Sequence, residues 1–241
     1  MAERIRVQKA LSQAGVMSRR AAEEAIVAGR VAIDGRTARL GDRVDPASET
    51  LTLDGISVVI DPTIETHLLY KPVGVVSTAN DPQGRPTVVD IVPSSRRLYP
   101  VGRLDIDSEG LILLTNDGEL ANKVTHPRYG VTKTYMVIAQ GRMTPAEVRR
   151  LTSGLELEDG HAQAIAAKLV DTTAEGSLVE VVMGEGRKRE VRRMFSALGH
   201  EVTRLVRTAI GPISDPRLAP GASRLLTQEE RRRLLEQVGE P

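Results

Sequence analysis

Near residue 60 the hydrophobic pattern changes period, and no other feature constrains the fold of this chain as tightly. Before that point apolar residues recur at helical spacing, first Ile5, Val7, Ala10, Leu11 and Ala14, then Ala21, Ala22, Ala25, Ile26 and Val27. Each run is closed by a glycine, Gly15 or Gly29, and Ser18 stands where the second helix needs an N-cap. Two Asp-Gly pairs follow, Asp34-Gly35 and Asp54-Gly55, each between short apolar runs, as in tight hairpins. Residues 1–60 therefore read as helix, helix and small strands. The polar segment 61–66, broken by Pro62, reads as a linker.

From residue 67 onward, period-two and continuous apolar runs dominate. Strands are expected at 67–71, 73–76, 111–115, 131–139, 163–170, 178–183 and 202–207. Helices interrupt them without βαβ alternation. Thr144-Pro145-Ala146-Glu147 and Thr227-Gln228-Glu229-Glu230 both carry capping boxes, and Glu190–Leu198 is closed by Gly199. Residues 67–241 are thus expected to form an α+β domain around a mixed, largely antiparallel sheet.

Composition narrows the chemistry. The chain has no cysteine, which removes disulfides, thiolate nucleophiles and zinc–thiolate sites. It has one phenylalanine, four tyrosines and no tryptophan, so the core must be aliphatic and each tyrosine is a candidate for a special role. No apolar run approaches the roughly 20 residues of a membrane helix, and no apolar stretch follows the first basic residues. A cytoplasmic protein is expected, and a monomer, since no large apolar surface is evident. The net charge is only +1 but unevenly spread. Residues 1–45 hold nine basic against six acidic side chains, 187–207 seven against two, and 143–186 three against eight. Two arginine-rich islands suit localised anionic partners, because guanidinium forks match phosphate; solvated faces are the bland alternative.

Three segments concentrate the candidate chemistry. Gly102-Arg103-Leu104-Asp105-Ile106-Asp107-Ser108-Glu109-Gly110 leads into the apolar run Leu111–Leu114 and the turn Asn116-Asp117-Gly118. If the segment is extended, Asp105, Asp107 and Glu109 share one side. Three readings stay open: a divalent-metal site of hard oxygens, a lone catalytic carboxylate oriented by its neighbours, or a polar turn. In a helix from Glu190, the residues Val191, Met194, Phe195 and Leu198 share a buried face. At least one of Arg189, Arg192 and Arg193 must then border apolar ground and need an anion, for which Asp105 would serve. In a strand, Lys133 and Tyr135 share a face that suits base stacking.

Taken together these segments resemble the RsuA/RluB-type ribosomal-RNA pseudouridine synthases over nearly the whole chain. Arg6-Val7-Gln8-Lys9-Ala10-Leu11, Gly15, Ser18-Arg19-Arg20, Gly29-Arg30-Val31 and Asp34-Gly35 resemble the alpha-L RNA-binding motif of a small-subunit ribosomal protein. The catalytic domain is matched by Lys71-Pro72-Val73-Gly74, Gly102-Arg103-Leu104-Asp105, Thr115-Asn116-Asp117-Gly118, Lys133-Thr134-Tyr135 and Arg192-Arg193-Met194, in the family's order. The chain departs from the pattern at Ser108, Lys188 and Glu190, where threonine, a small polar residue and glutamine are usual.

The resemblance implies an alpha-L RNA-binding domain at 1–60 and a pseudouridine synthase domain at 67–241. The implied activity is isomerisation of a uridine in ribosomal RNA of the large (23S) subunit, with neither metal nor cofactor. Asp105 would be the catalytic aspartate, ion-paired to Arg192. Tyr135 would stack on the target base, and Arg103 would fill the gap left by the flipped uridine. Lys71, Lys133, Arg189, Arg193, Leu205, Arg19, Arg20 and Arg30 would complete the RNA and substrate contacts. Two other classes of answer are a non-catalytic RNA-binding assembly factor and metal-dependent phosphoryl chemistry on Asp105, Asp107 and Asp117. The first has no need of a carboxylate in an RNA-facing groove; the second lacks a Walker-type glycine-lysine loop.

Overall fold

The structure is a computed structural model that describes residues 4–61, 63–173 and 176–239. The chain forms two compact units, residues 1–65 with 94–97, and residues 66–93 with 98–241. No helix among the described residues is long and apolar enough to cross a membrane.

In the first unit the helices Val7–Gln13 and Arg19–Val27 follow the expected spacing, and Ser18 caps the second by accepting from the Ala21 amide. Ile5 and Arg6, expected in the first helix, instead form a short strand paired with Arg43–Val44. Asp34-Gly35 and Asp54-Gly55 turn two hairpins, all four residues at positive φ as a type I′ turn requires. Val7, Leu11, Ala22, Ile26, Val31, Val44 and Leu51 make the core. Asp61 and Glu65 both pair with Arg96, at 2.7 and 2.9 Å.

The second unit is built on a mixed sheet. Its strands lie in the order Ala166–Thr172, Gly176–Met183, Lys133–Gln140, Val202–Ile210, Glu109–Thr115, Thr66–Lys71 and Ser223–Leu225. Every pairing is antiparallel except that of Val202–Ile210 with Glu109–Thr115. The α+β architecture with a largely antiparallel sheet is therefore as expected. Glu109–Thr115 is buried along its whole length, with Leu111 and Leu113 in one apolar cluster and Ile112 and Leu114 in another, so both sheet faces are covered.

Register places the site. Lys71 pairs with Gly110, Gly110 with Arg207, and Arg207 with Tyr135, so these four lie in one row across four strands. Gly110 is required there. It has φ +108°, and a Cβ would stand 2.5 Å from the Arg207 nitrogen and closer still to its carbonyl oxygen. Thr208 is skipped where Thr134 pairs with Ala209 and Tyr135 with Arg207, a bulge that re-aims the chain beside Tyr135.

One expectation fails and two elements were not expected. Val73–Val76 is no strand: Pro72 denies a ladder donor, Gly74 turns at φ +88°, and the Gly74 amide donates to Ile106. Tyr99–Val101, despite Pro100, pairs with Thr115–Leu113. Gly118–Thr125 is a helix that the sequence reading left out, capped by Asp117, whose carboxylate accepts from the amides of Glu119 and Leu120.

Candidate active site

The segment between Val101 and Glu109 is not extended. It turns at Ile106–Asp107, closed by the Ser108 amide donating to the Asp105 carbonyl. The three carboxylates therefore diverge. Asp105 faces a cavity of about 350 Å3 that it shares with Arg103, Tyr135, Leu205, Met183, Glu185 and Arg189. Asp107 faces the other side of Arg189. Glu109 accepts from Arg204 at 2.6 Å and from the Tyr70 hydroxyl at 3.0 Å, and the Arg204 bond holds it below the usual carboxylate range.

The helix Glu190–Ala197 forms one wall. Val191, Met194 and Phe195 face the core, and one arginine does border apolar ground: the Arg192 side chain is only 11% exposed. Its partner differs from the expected one. Arg192 donates to the Val202 carbonyl and the Asp107 carbonyl, both at 2.8 Å, to Ser108 Oγ at 3.3 Å, and lies 3.5 Å from the Asp107 carboxylate. Burial lowers its pKa, and Asp107 opposes that. The expected Arg192–Asp105 ion pair is thus replaced by an anchor on the neighbouring turn residues.

The guanidinium nearest Asp105 belongs to Arg189, 4.0 Å from its carboxylate. Arg189 is committed elsewhere as well, donating twice to Asp107 at 3.0 Å, and that bond raises its pKa. Burial pushes Asp107 upward, but the bonds from Arg189 and the charge of Arg192 outweigh it, and Asp107 is held low. Among the described residues nothing hydrogen-bonds to the Asp105 carboxylate, which stays available on the cavity side.

Tyr135 is 8% exposed, packed in the apolar core cluster and lining the cavity. Leu205, on the strand next to the one the turn leads into, supplies apolar lining. Lys71, expected to touch RNA, cannot: it is fully buried, its Nζ donating to the carbonyls of Ser108 at 2.6 Å and Pro72 at 2.9 Å. Burial brings its pKa down to about 8. Lys133 is half-buried, its pKa lowered by burial and then by Arg207, and it is not among the residues lining the cavity. Arg193 also lies outside, donating to both oxygens of Asp159 at 2.6 and 2.9 Å.

Glu190, read from the sequence only as a helix start and a departure from the family pattern, completes the wall. Glu190 is 3% exposed and accepts from Arg187; burial, then Glu185 beside it, raises its pKa. Asp117 sits at the far end of the strand Glu109–Thr115, bonded to Arg231 and to its own helix, so it joins no cluster with Asp105 and Asp107. The metal-dependent phosphoryl reading, which needed those three together, is thereby overturned. In the first unit Arg30 is taken up by Asp54, at 2.9 and 2.5 Å. Arg19 and Arg20 are exposed and form no ion pair among the described residues.

A carboxylate, an aromatic ring and apolar side chains thus line one cavity. Residues 65–197 match the RNA pseudouridylate synthase family and residues 5–49 match the S4 domain. The chain belongs to the RNA pseudouridine synthase family and is an enzyme of that class. An RNA pseudouridine synthase of Mycobacterium leprae is 45% identical over 240 residues, covering 98% of this chain and 94% of that one. The ribosomal large subunit pseudouridine synthase B of Bacillus subtilis is 42% identical, covering 95% of each. A crystal structure of a pseudouridylate synthase superposes with a TM-score of 0.67 at 29% identity, covering 95% of this chain and 99% of the other.

Proposed function

We propose that this enzyme converts a uridine of large-subunit (23S) ribosomal RNA to pseudouridine, acting as a cytoplasmic monomer, with Asp105 as the reacting carboxylate. The observation that carries the reading is the shared cavity: Asp105, Tyr135 and Leu205 line one space, with Arg103 exposed at its edge. Two relatives with similarity over most of the chain are named for the ribosomal large subunit. A pure RNA binder has no use for a carboxylate without hydrogen-bond partners at this place, where it repels phosphate.

The reaction breaks the bond between uracil N1 and ribose C1′, turns the base, and forms a bond from C5 to C1′. The proton leaves C5 and N1 ends protonated, so no atom is gained or lost. Asp105 acts on the ribose, either by attack at C1′ or as the base for a ribose proton. Tyr135 stacks on the extruded base, returning about 1–3 kcal/mol of the few that flipping costs. Leu205 gives the base an apolar surface, and Arg103 occupies the place the uridine leaves. Arg192 acts one step removed: by holding the Asp107 carbonyl and Ser108 it fixes the turn that aims Asp105. Lys71 fixes the same turn from beneath, through Ser108. Arg19 and Arg20 offer unpaired charge to RNA phosphates, whereas Arg30 must first leave Asp54.

The test is incubation of the enzyme with an unmodified large-subunit transcript in EDTA, followed by carbodiimide-blocked primer extension. One stop is expected with the parent enzyme and none with Asp105→Asn, which still retains the RNA on a filter. A full-strength stop with Asp105→Asn, or no stop on any ribosomal transcript, refutes the assignment.

A further inference from the structure

A second, larger cavity of about 860 Å3 lies on the far side of Arg189 from Asp105. It is lined by Asp107, Arg189, Arg192, Arg193, Ser196 and Thr203 among others, and Arg189 is the residue that lines both it and the catalytic cavity. We propose that this groove carries the phosphodiester backbone of the RNA flanking the target uridine, and that Arg189 exchanges Asp107 for a phosphate when the RNA arrives. The proposal rests on the reading of Asp105 as the reaction centre and names how the strand reaches it.

Four observations support it. First, Arg189 holds φ +51°; the other two non-glycine residues at positive φ among the described residues, Asp34 and Asp54, sit in Asp-Gly turns where that conformation is ordinary. An arginine held in this region by the start of a helix is a strained placement, of the kind that accumulates at ligand sites. Second, the Arg189–Asp107 pair is 42% exposed on each side, so water competes for it and separation costs little. Third, separation does not leave Asp107 bare, because Arg192 remains 3.5 Å from it, nor does it release the turn, because Arg192 also holds the Asp107 carbonyl. Fourth, the fork that now grips both oxygens of a carboxylate grips two phosphate oxygens in the same geometry.

Ser196 and Thr203 are exposed on the groove's lining. Ser196 makes no side-chain hydrogen bond among the described residues, and Thr203 donates to the Ile138 carbonyl. Neither belongs to the catalytic cavity. They therefore report on the groove without touching the chemistry.

The experiment measures RNA affinity by filter binding in the full-length Asp105→Asn chain, so that turnover does not enter and failure of the catalytic assignment stays distinguishable. Ser196→Glu is expected to weaken binding about ten-fold at low salt, and Ser196→Lys to tighten it about three-fold, each changing the salt dependence in the matching direction. Arg189→Gln is expected to flatten the log–log salt slope by about one, with Arg189→Lys restoring most of it. Opposite effects from one position exclude misfolding as the cause. If both Ser196 variants bind as the parent does, or shift affinity in the same direction, the groove does not carry the RNA and the proposal is wrong.

Discussion

The strand Glu109–Thr115 bears a charged signature at each end, and the two ends are used differently. At its carboxyl end the side chains build structure: Thr115 shares a buried hydrogen bond with Thr66, and Asp117 caps a helix and pairs with Arg231. At its amino end the carboxylates are unequally shared. Asp107 answers two guanidiniums, Glu109 answers Arg204 and Tyr70, and Asp105 has, among the described residues, only Arg189 at 4.0 Å. A carboxylate whose oxygens are all engaged builds structure; one left open towards a cavity is free for chemistry. Motif spelling does not separate the two cases, because both ends read as glycine-flanked acidic turns.

The sharpest contrast is between the two glycines. Gly110→Ala forces a Cβ into the Arg207 backbone at φ +108° and should cost about 3 kcal/mol or more in urea unfolding. Gly118→Ala meets only the Tyr99 hydroxyl at 3.1 Å, with no left-handed backbone, and should cost under about 1 kcal/mol. Equal losses would mean that the parallel crossing at Gly110 is not the tight point of the sheet.

A second difference is pH-dependent. Lys71, under the amino end, loses its proton near pH 8 when folded, whereas the unfolded chain keeps it until about 10.5. Between those values the unfolded state binds the extra proton, so stability rises with pH. The unfolding free energy of the parent relative to Lys71→Met should therefore increase by on the order of 3 kcal/mol from pH 8 to 10.5. A flat difference would place Lys71 in contact with water.

The far end supplies the smaller effect. Asp117→Ala removes a cap and an ion pair and should cost about 1–2 kcal/mol while leaving pseudouridine formation intact in primer extension. Loss of activity without loss of stability would move the reaction centre towards Asp117.

Much of this arrangement was legible in the sequence, for identifiable reasons. Ser18, Thr144 and Thr227 cap helices through short-range hydrogen bonds, and the Asp-Gly turns close on themselves, so spacing alone suffices. Asp105 and Tyr135 stand in motifs that match a family, Leu205 follows only from the resemblance as a whole, and the fold brings all three to one cavity. What escaped was decided by long-range geometry. Arg192 lies 84 to 85 residues from Ser108 and Asp107, and only the turn at Ile106–Asp107 determines that it meets these and not Asp105. Lys71 looked like a surface cation, yet its register opposite Gly110 buries it. Val73–Val76 is apolar enough for a strand, but Pro72 and Gly74 give it the backbone of a turn.

The most direct test uses RNA carrying tritium at carbon 5 of uridine, because the reaction must expel that hydrogen. The parent enzyme and Asp117→Ala should release tritium to water at similar rates, while Asp105→Asn should release none and still bind the RNA. Release by Asp105→Asn at the parent's rate would contradict the assignment of the chemistry to Asp105.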